Sequence, residues 1–154
     1  MRVSKPQIAG LLLALYGLIY LTILVLPDEW LKIDSIFEFY EYDGVTATLM
    51  LLRFLVGPLV ALIAGVLSFL PTFDALYSHI NTVLVSAASL AIGFTFAYIL
   101  ISAGHEQGSV FGELIGYPGE TASFWILVRL ALLLAIAALV ISTRELRKQP
   151  HEYK

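Results

Sequence analysis

The chain has 154 residues, of which 59% are apolar and 14% charged, with a net charge of -3 and no cysteine. That balance excludes an ordinary soluble domain of this size and fits the membrane class. The missing cysteines exclude disulfides, thiolate zinc sites and iron–sulfur clusters, and the absence of a basic block or tail argues against nucleic acid as a partner.

Four long apolar runs follow one another: Ile8–Leu26, Val45–Leu70, Thr82–Ala103 and Ala122–Ser142. Each reaches the roughly 20 residues needed to cross a hydrocarbon core about 30 Å thick. The fold class expected is therefore an all-α integral membrane protein, one four-transmembrane-helix bundle covering residues 1–154. The first run is too long for the apolar part of a secretory signal, and no small-residue cleavage site follows Leu26. It is expected to remain as a span.

The first connection is acidic, with Asp28, Glu29, Asp34, Glu38, Glu41 and Asp43. Within it Trp30, Ile33, Phe37 and Tyr40 recur at helical spacing, which predicts a short amphipathic helix. A helix lying on the membrane surface and a lid over the bundle share that pattern.

The second run is the longest and is expected to tilt or kink, with Gly57-Pro58 as its one hint of a break. It opens with Tyr42-Asp43-Gly44-Val45-Thr46-Ala47-Thr48, which matches Tyr117-Pro118-Gly119-Glu120-Thr121-Ala122-Ser123 before the fourth run. Together with a looser match of Leu15–Leu24 to Ala91–Leu100, this suggests two parallel helix–loop–helix repeats. Similar entry caps would produce the same motif without duplication: Gly44 and Gly119 suit turns, and Thr46 and Thr121 are natural N-caps.

Small residues form a stripe on every span, and in the second and third they recur four apart. Gly57, Ala61 and Gly65 do so in the second, and Ser89, Gly93 and Ala97 in the third. Gly10, Ala14 and Gly17 line the first, and Ala131, Ala135 and Ala138 the fourth. Such stripes let helix backbones approach closely in lipid.

Basic residues sit at the chain ends, Arg2 and Lys5 before the first span and Arg144, Arg147, Lys148 and Lys154 after the fourth. The positive-inside rule then puts both termini in the cytoplasm and the acidic first and third connections outside, in what is expected to be the cell membrane.

Arg53 and Arg129 lie within the second and fourth runs. A charge at the centre of a membrane helix costs at least about 2.5–3.5 kcal/mol, so each is expected to face the bundle and find a partner. Arg53 sits roughly 12 Å below the start of its run at 1.5 Å per residue. One reading pairs the arginines with loop carboxylates, Asp43 or Glu120. The other uses Tyr20 and Tyr98, with Tyr16 and Thr95 nearby, to build a pocket for an anion or lipid headgroup, because the arginine fork suits carboxylate and phosphate.

His79 and His105 fall at opposite ends of the third span, so no shared metal or haem is expected. No nucleophile elbow, phosphate loop or paired intramembrane carboxylate is evident, and the sequence offers no catalytic residues, no cofactor and no metal site. The function expected is that of a non-enzymatic packing or assembly component, a homo-oligomer or an accessory subunit of a membrane complex. Its partners are then the bilayer and other membrane chains. The alternatives are a small anion, solute or lipid-binding transporter using Arg53 and Arg129, and, with less behind it, a membrane enzyme with an outer-face site.

Overall fold

A computed structural model describes residues 4–25, 44–70, 79–105 and 122–148. Each apolar run contains a helix long and apolar enough to cross a membrane. The first span is α1 (Lys5–Val25). The second is continuous but made of three pieces, α2 (Gly44–Leu51), one π-helical turn (Leu52–Val56) and α3 (Gly57–Leu67). The third and fourth are α4 (Ile80–His105) and α5 (Ala122–Leu146), and no strand occurs among the described residues.

Local chemistry sets the helix ends. At the start of α1 the Ser4 backbone N–H donates to Oε1 of Gln7 at 2.9 Å, one half of a Ser-x-x-Gln capping box. The Ser4 carbonyl accepts the first helical bond from Ile8 at 3.0 Å. Thr46 is not an N-cap: α2 already begins at Gly44, so Thr46 falls in its first turn. The α5 helix opens at Ala122, directly after Thr121.

The expected break at Gly57-Pro58 is a widened turn. Pro58 has no N–H to offer the carbonyl of Phe54, and its ring crowds that oxygen. The chain responds one turn earlier, where the Gly57 N–H reaches the carbonyl of Leu52, five residues back. The span stays continuous, and Arg53 and Phe54 both turn into the core.

The helices form an antiparallel ring in which α1 lies between α3 and α5, and α4 closes the circle from the other side. The α1 seam reads Ala9, Leu13, Tyr16, Tyr20 and Ile23, and the α5 seam Val128, Ala131, Ala135, Ala138 and Ser142. Alternating steps of three and four are the spacing of knobs-into-holes packing. Size and polarity are sorted in reverse of a soluble bundle. Most of the alanines, glycines and serines lie in the interior beside Tyr16, Tyr20 and a few aliphatics such as Leu13 and Leu84, whereas Leu11, Leu18, Ile63, Val66, Leu100 and Leu133 face outward. Lipid tails solvate leucine as well as a protein core does, so the close-approach residues go inside.

The α1–α3 contact depends on missing side chains. A Cβ on Gly65 would stand 2.5 Å from the carbonyl oxygen of Gly10 and 2.8 Å from the nitrogen of Ala14. One on Gly17 would meet the Pro58 carbonyl at 2.6 Å, and one on Gly10 would collide with Oγ of Ser68. The stripes read on the first two spans thus face each other within one chain. At the end of the bundle near the chain termini, Nζ of Lys5 bonds Oε1 of Glu145 at 2.9 Å and ties α1 to α5.

The loop segment from Trp30 to Tyr40, and the carboxylates of Asp43 and Glu120, lie outside the described residues.

Candidate functional site

Arg53 is 3% exposed, in the half of the bundle away from the chain termini. The π-turn delivers Arg53 and Phe54 side by side, α1 contributes Tyr16 and Tyr20, and α4 contributes Thr95 and Tyr98. The aromatic rings form a chain. The Tyr16 and Tyr20 centroids are 5.0 Å apart, Tyr20 meets Phe54 edge to face at 5.5 Å, and Phe54 meets Tyr98 in the same manner at 6.4 Å.

The guanidinium sits against this chain. Cζ of Arg53 is 4.6 Å from the Tyr98 centroid and 4.9 Å from that of Phe54. Contacts of a desolvated cation with an aromatic face reach about 2 kcal/mol or more. Of the charged partners expected for Arg53, the described residues supply none. Their one carboxylate is Glu145, held by Lys5 and Lys148 at the opposite end. Among the described residues the guanidinium contacts are with aromatic faces; Asp43 and Glu120, the carboxylates expected beside it, lie outside the described residues.

Among the described residues, three buried polar atoms in this cluster lack a hydrogen bond of good geometry: Nε of Arg53 and the hydroxyls of Tyr16 and Tyr20. Thr95 is satisfied, its hydroxyl donating to the Ala91 carbonyl at 2.9 Å. An unsatisfied buried donor costs about 1–3 kcal/mol, more when charged. The cluster thus holds one guanidinium N–H and two phenolic hydroxyls with hydrogen-bonding capacity left over among the described residues.

The structure thus places Arg53, Tyr16, Tyr20, Thr95 and Tyr98 in one region of the bundle, and adds Phe54. Phe54 was missed because an aromatic next to an arginine along a helix points elsewhere in a regular α-turn. Only Pro58 signalled that the turn was irregular. Arg129 occupies a different environment from Arg53: it is half-buried on α5, within a regular helix.

The packing residues divide in two. Gly57, Ala61 and Gly65 are buried in the chain's own core, with Gly57 facing Ala91 and Phe94 of α4. Ser89 and Gly93 are exposed and Ala97 is half-buried, and no atom of the described residues lies within 4 Å of the place where a Gly93 Cβ would stand. Beside this face runs an apolar groove of about 340 Å³ between α3 and α4, lined by Val60, Ile63, Leu67, Val83 and Leu90 among others.

No family model matches this sequence, no curated protein matches it, and no solved structure matches it.

Proposed function

We propose that the chain is a packing and assembly component of a membrane complex, joined to its own copies or to another membrane subunit through the outward face of α4. The observation that supports this is the division among the small-residue stripes. Gly10, Gly17 and Gly65 are consumed by contacts inside the chain, whereas Ser89 and Gly93 stand exposed with open space beside them. A glycine on an otherwise leucine-rich outer surface lets a second helix approach, and the adjacent groove between α3 and α4 can receive its side chains. In this reading both termini lie in the cytoplasm and the acidic connections face out of the cell membrane, as the distribution of basic residues requires. The two halves are proposed to descend from one helix–loop–helix unit, on the strength of the repeated Tyr-x-Gly-x-Thr-Ala-[Ser/Thr] motif.

The test is the mass of the particle in mild detergent, with Gly93→Leu as the variant. The Cβ of the added side chain meets nothing within 4 Å among the described residues. The expected outcome is an assembly for the wild type, and a monomer of unchanged melting temperature for the variant. A wild type that is monomeric and carries no other membrane chain contradicts the reading.

A second reading is favoured by one observation, the Nε of Arg53 and the hydroxyls of Tyr16 and Tyr20, which have no hydrogen-bond partner among the described residues of a single aromatic cluster. Here Arg53 binds a small anion or a lipid headgroup. Melting wild type and Arg53→Met across carboxylates, phosphate and anionic lipid tests it. An anion-induced rise in the wild type that the variant lacks supports binding, and equal responses contradict it.

A further inference from the structure

The other end of the molecule carries a second cluster of charge. Where α1 begins and α5 ends, a groove of about 600 Å³ is lined by Lys5, Ile8, Ile141, Arg144, Glu145, Arg147 and Lys148. Four cations face a single carboxylate there. Glu145 accepts from Lys5 at 2.9 Å and from Lys148 at 3.0 Å, so it engages both lysines at once. Arg144 and Arg147 are exposed and have no ion-pair partner among the described residues. The groove therefore holds an excess of positive charge and two uncommitted guanidinium forks.

Its walls are of two kinds. Ile8 and Ile141 lie one helical turn deeper than Lys5 and Arg144, and Ile8 is 40% exposed. Below Ile8 the same face of α1 continues with Leu11 and Leu15, which are also exposed. A cationic rim thus passes directly into an apolar strip running along the span. A free anion would use only the rim. A phospholipid would use both parts, its phosphate on the arginine forks and its acyl chain along the strip.

We infer that this groove binds the phosphate of an anionic phospholipid from the leaflet next to the chain termini. Arginine meets phosphate oxygens with two parallel N–H bonds, and anionic leaflets concentrate at basic pockets between spanning helices. Oε1 of Glu145 is engaged by Lys5 and Lys148, so the one carboxylate of the lining is paired within it.

The experiment melts the purified full chain in neutral detergent with phosphatidylglycerol, with phosphatidylcholine and with inorganic phosphate. Phosphatidylglycerol is expected to raise the melting temperature, and the other two to leave it unchanged. The double variant Arg144→Gln/Arg147→Gln is expected to melt like the wild type without lipid and to lose the phosphatidylglycerol shift, its apparent affinity falling about tenfold or more. Arg147→Gln alone, in the turn beyond α5, is expected to reduce the shift, and supplies the comparison if the double variant does not fold. An equal shift from phosphatidylcholine would mean an unselective lipid annulus. A shift from inorganic phosphate of the same size would mean a soluble-anion site. Either result, or a phosphatidylglycerol shift that survives in the variants, overturns the inference.

Discussion

Cζ of Arg53 lies 4.6 Å from the centre of the Tyr98 ring, joining the π-turn of the second span to the third span in the interior of the bundle. The contact exists because Pro58 forces the turn before it to widen. A charge that would be expensive in lipid is thereby enclosed by protein, with the negative faces of two aromatic rings beside it.

The strength of that contact can be measured by a double-mutant cycle with Arg53→Met and Tyr98→Leu. We expect a coupling of about 1–2 kcal/mol, in the range of a desolvated cation–π pair. Each variant also loses contacts of its own, which the cycle cancels. Losses that add to within about 0.5 kcal/mol would show the two side chains to be independent.

Pro58→Ala restores an N–H to the Phe54 carbonyl and removes the ring that crowds it. We expect the π-turn to relax to regular helix, rotating Arg53 and Phe54 out of register with Tyr98. The side-chain Nε–H resonance of Arg53 should carry a ring-current shift in the wild type and lose it in the variant. A resonance that does not move would mean that the widened turn has a cause other than proline.

Gly65 and Gly93 should respond oppositely to the same change. Gly65→Ala places a methyl group 2.5 Å from the Gly10 carbonyl and 2.9 Å from the Ala14 methyl, so α1 and α3 must separate. Overpacking of this kind costs about 1–3 kcal/mol. Gly93→Ala meets nothing within 4 Å among the described residues and should leave the melting temperature of the monomer unchanged or slightly raised. Equal losses at the two sites would place both glycines in one kind of environment and contradict the division drawn between them.

The contrast between these glycines also shows what the sequence could and could not disclose. Four spans were legible, because length and apolarity decide membrane crossing. The inward face of each span was harder to read, since lipid accepts the same leucines that a core would. The small residues marked the inside correctly at Gly10, Gly17 and Gly65, where two stripes face each other. At Ser89 and Gly93 the same four-residue spacing lies on the outside. Spacing identifies a surface fit for close approach but does not say which neighbour uses it. The arginine was legible as a buried charge, and Tyr20 and Tyr98 as its neighbours. Phe54 was not, because its direction depends on the extra residue in the turn before Pro58. The groove at the chain termini was visible only as an excess of basic residues. Its lining joins α1 to α5, where Lys5 and Glu145 meet across 140 positions of chain.

The most direct test of the assembly reading uses the absence of cysteine in the natural chain. A single thiol introduced as Gly93→Cys, carrying a photo-reactive group, reports what touches the outward face of α4 in the native membrane. Leu133→Cys, 63% exposed on α5, serves as the lipid-facing reference. We expect a discrete protein adduct at position 93 and none at 133. An adduct of two chains, each 17.0 kDa, would mean a homo-oligomer, and one other defined mass would mean a partner subunit. Attachment to lipid alone at both positions would contradict the account.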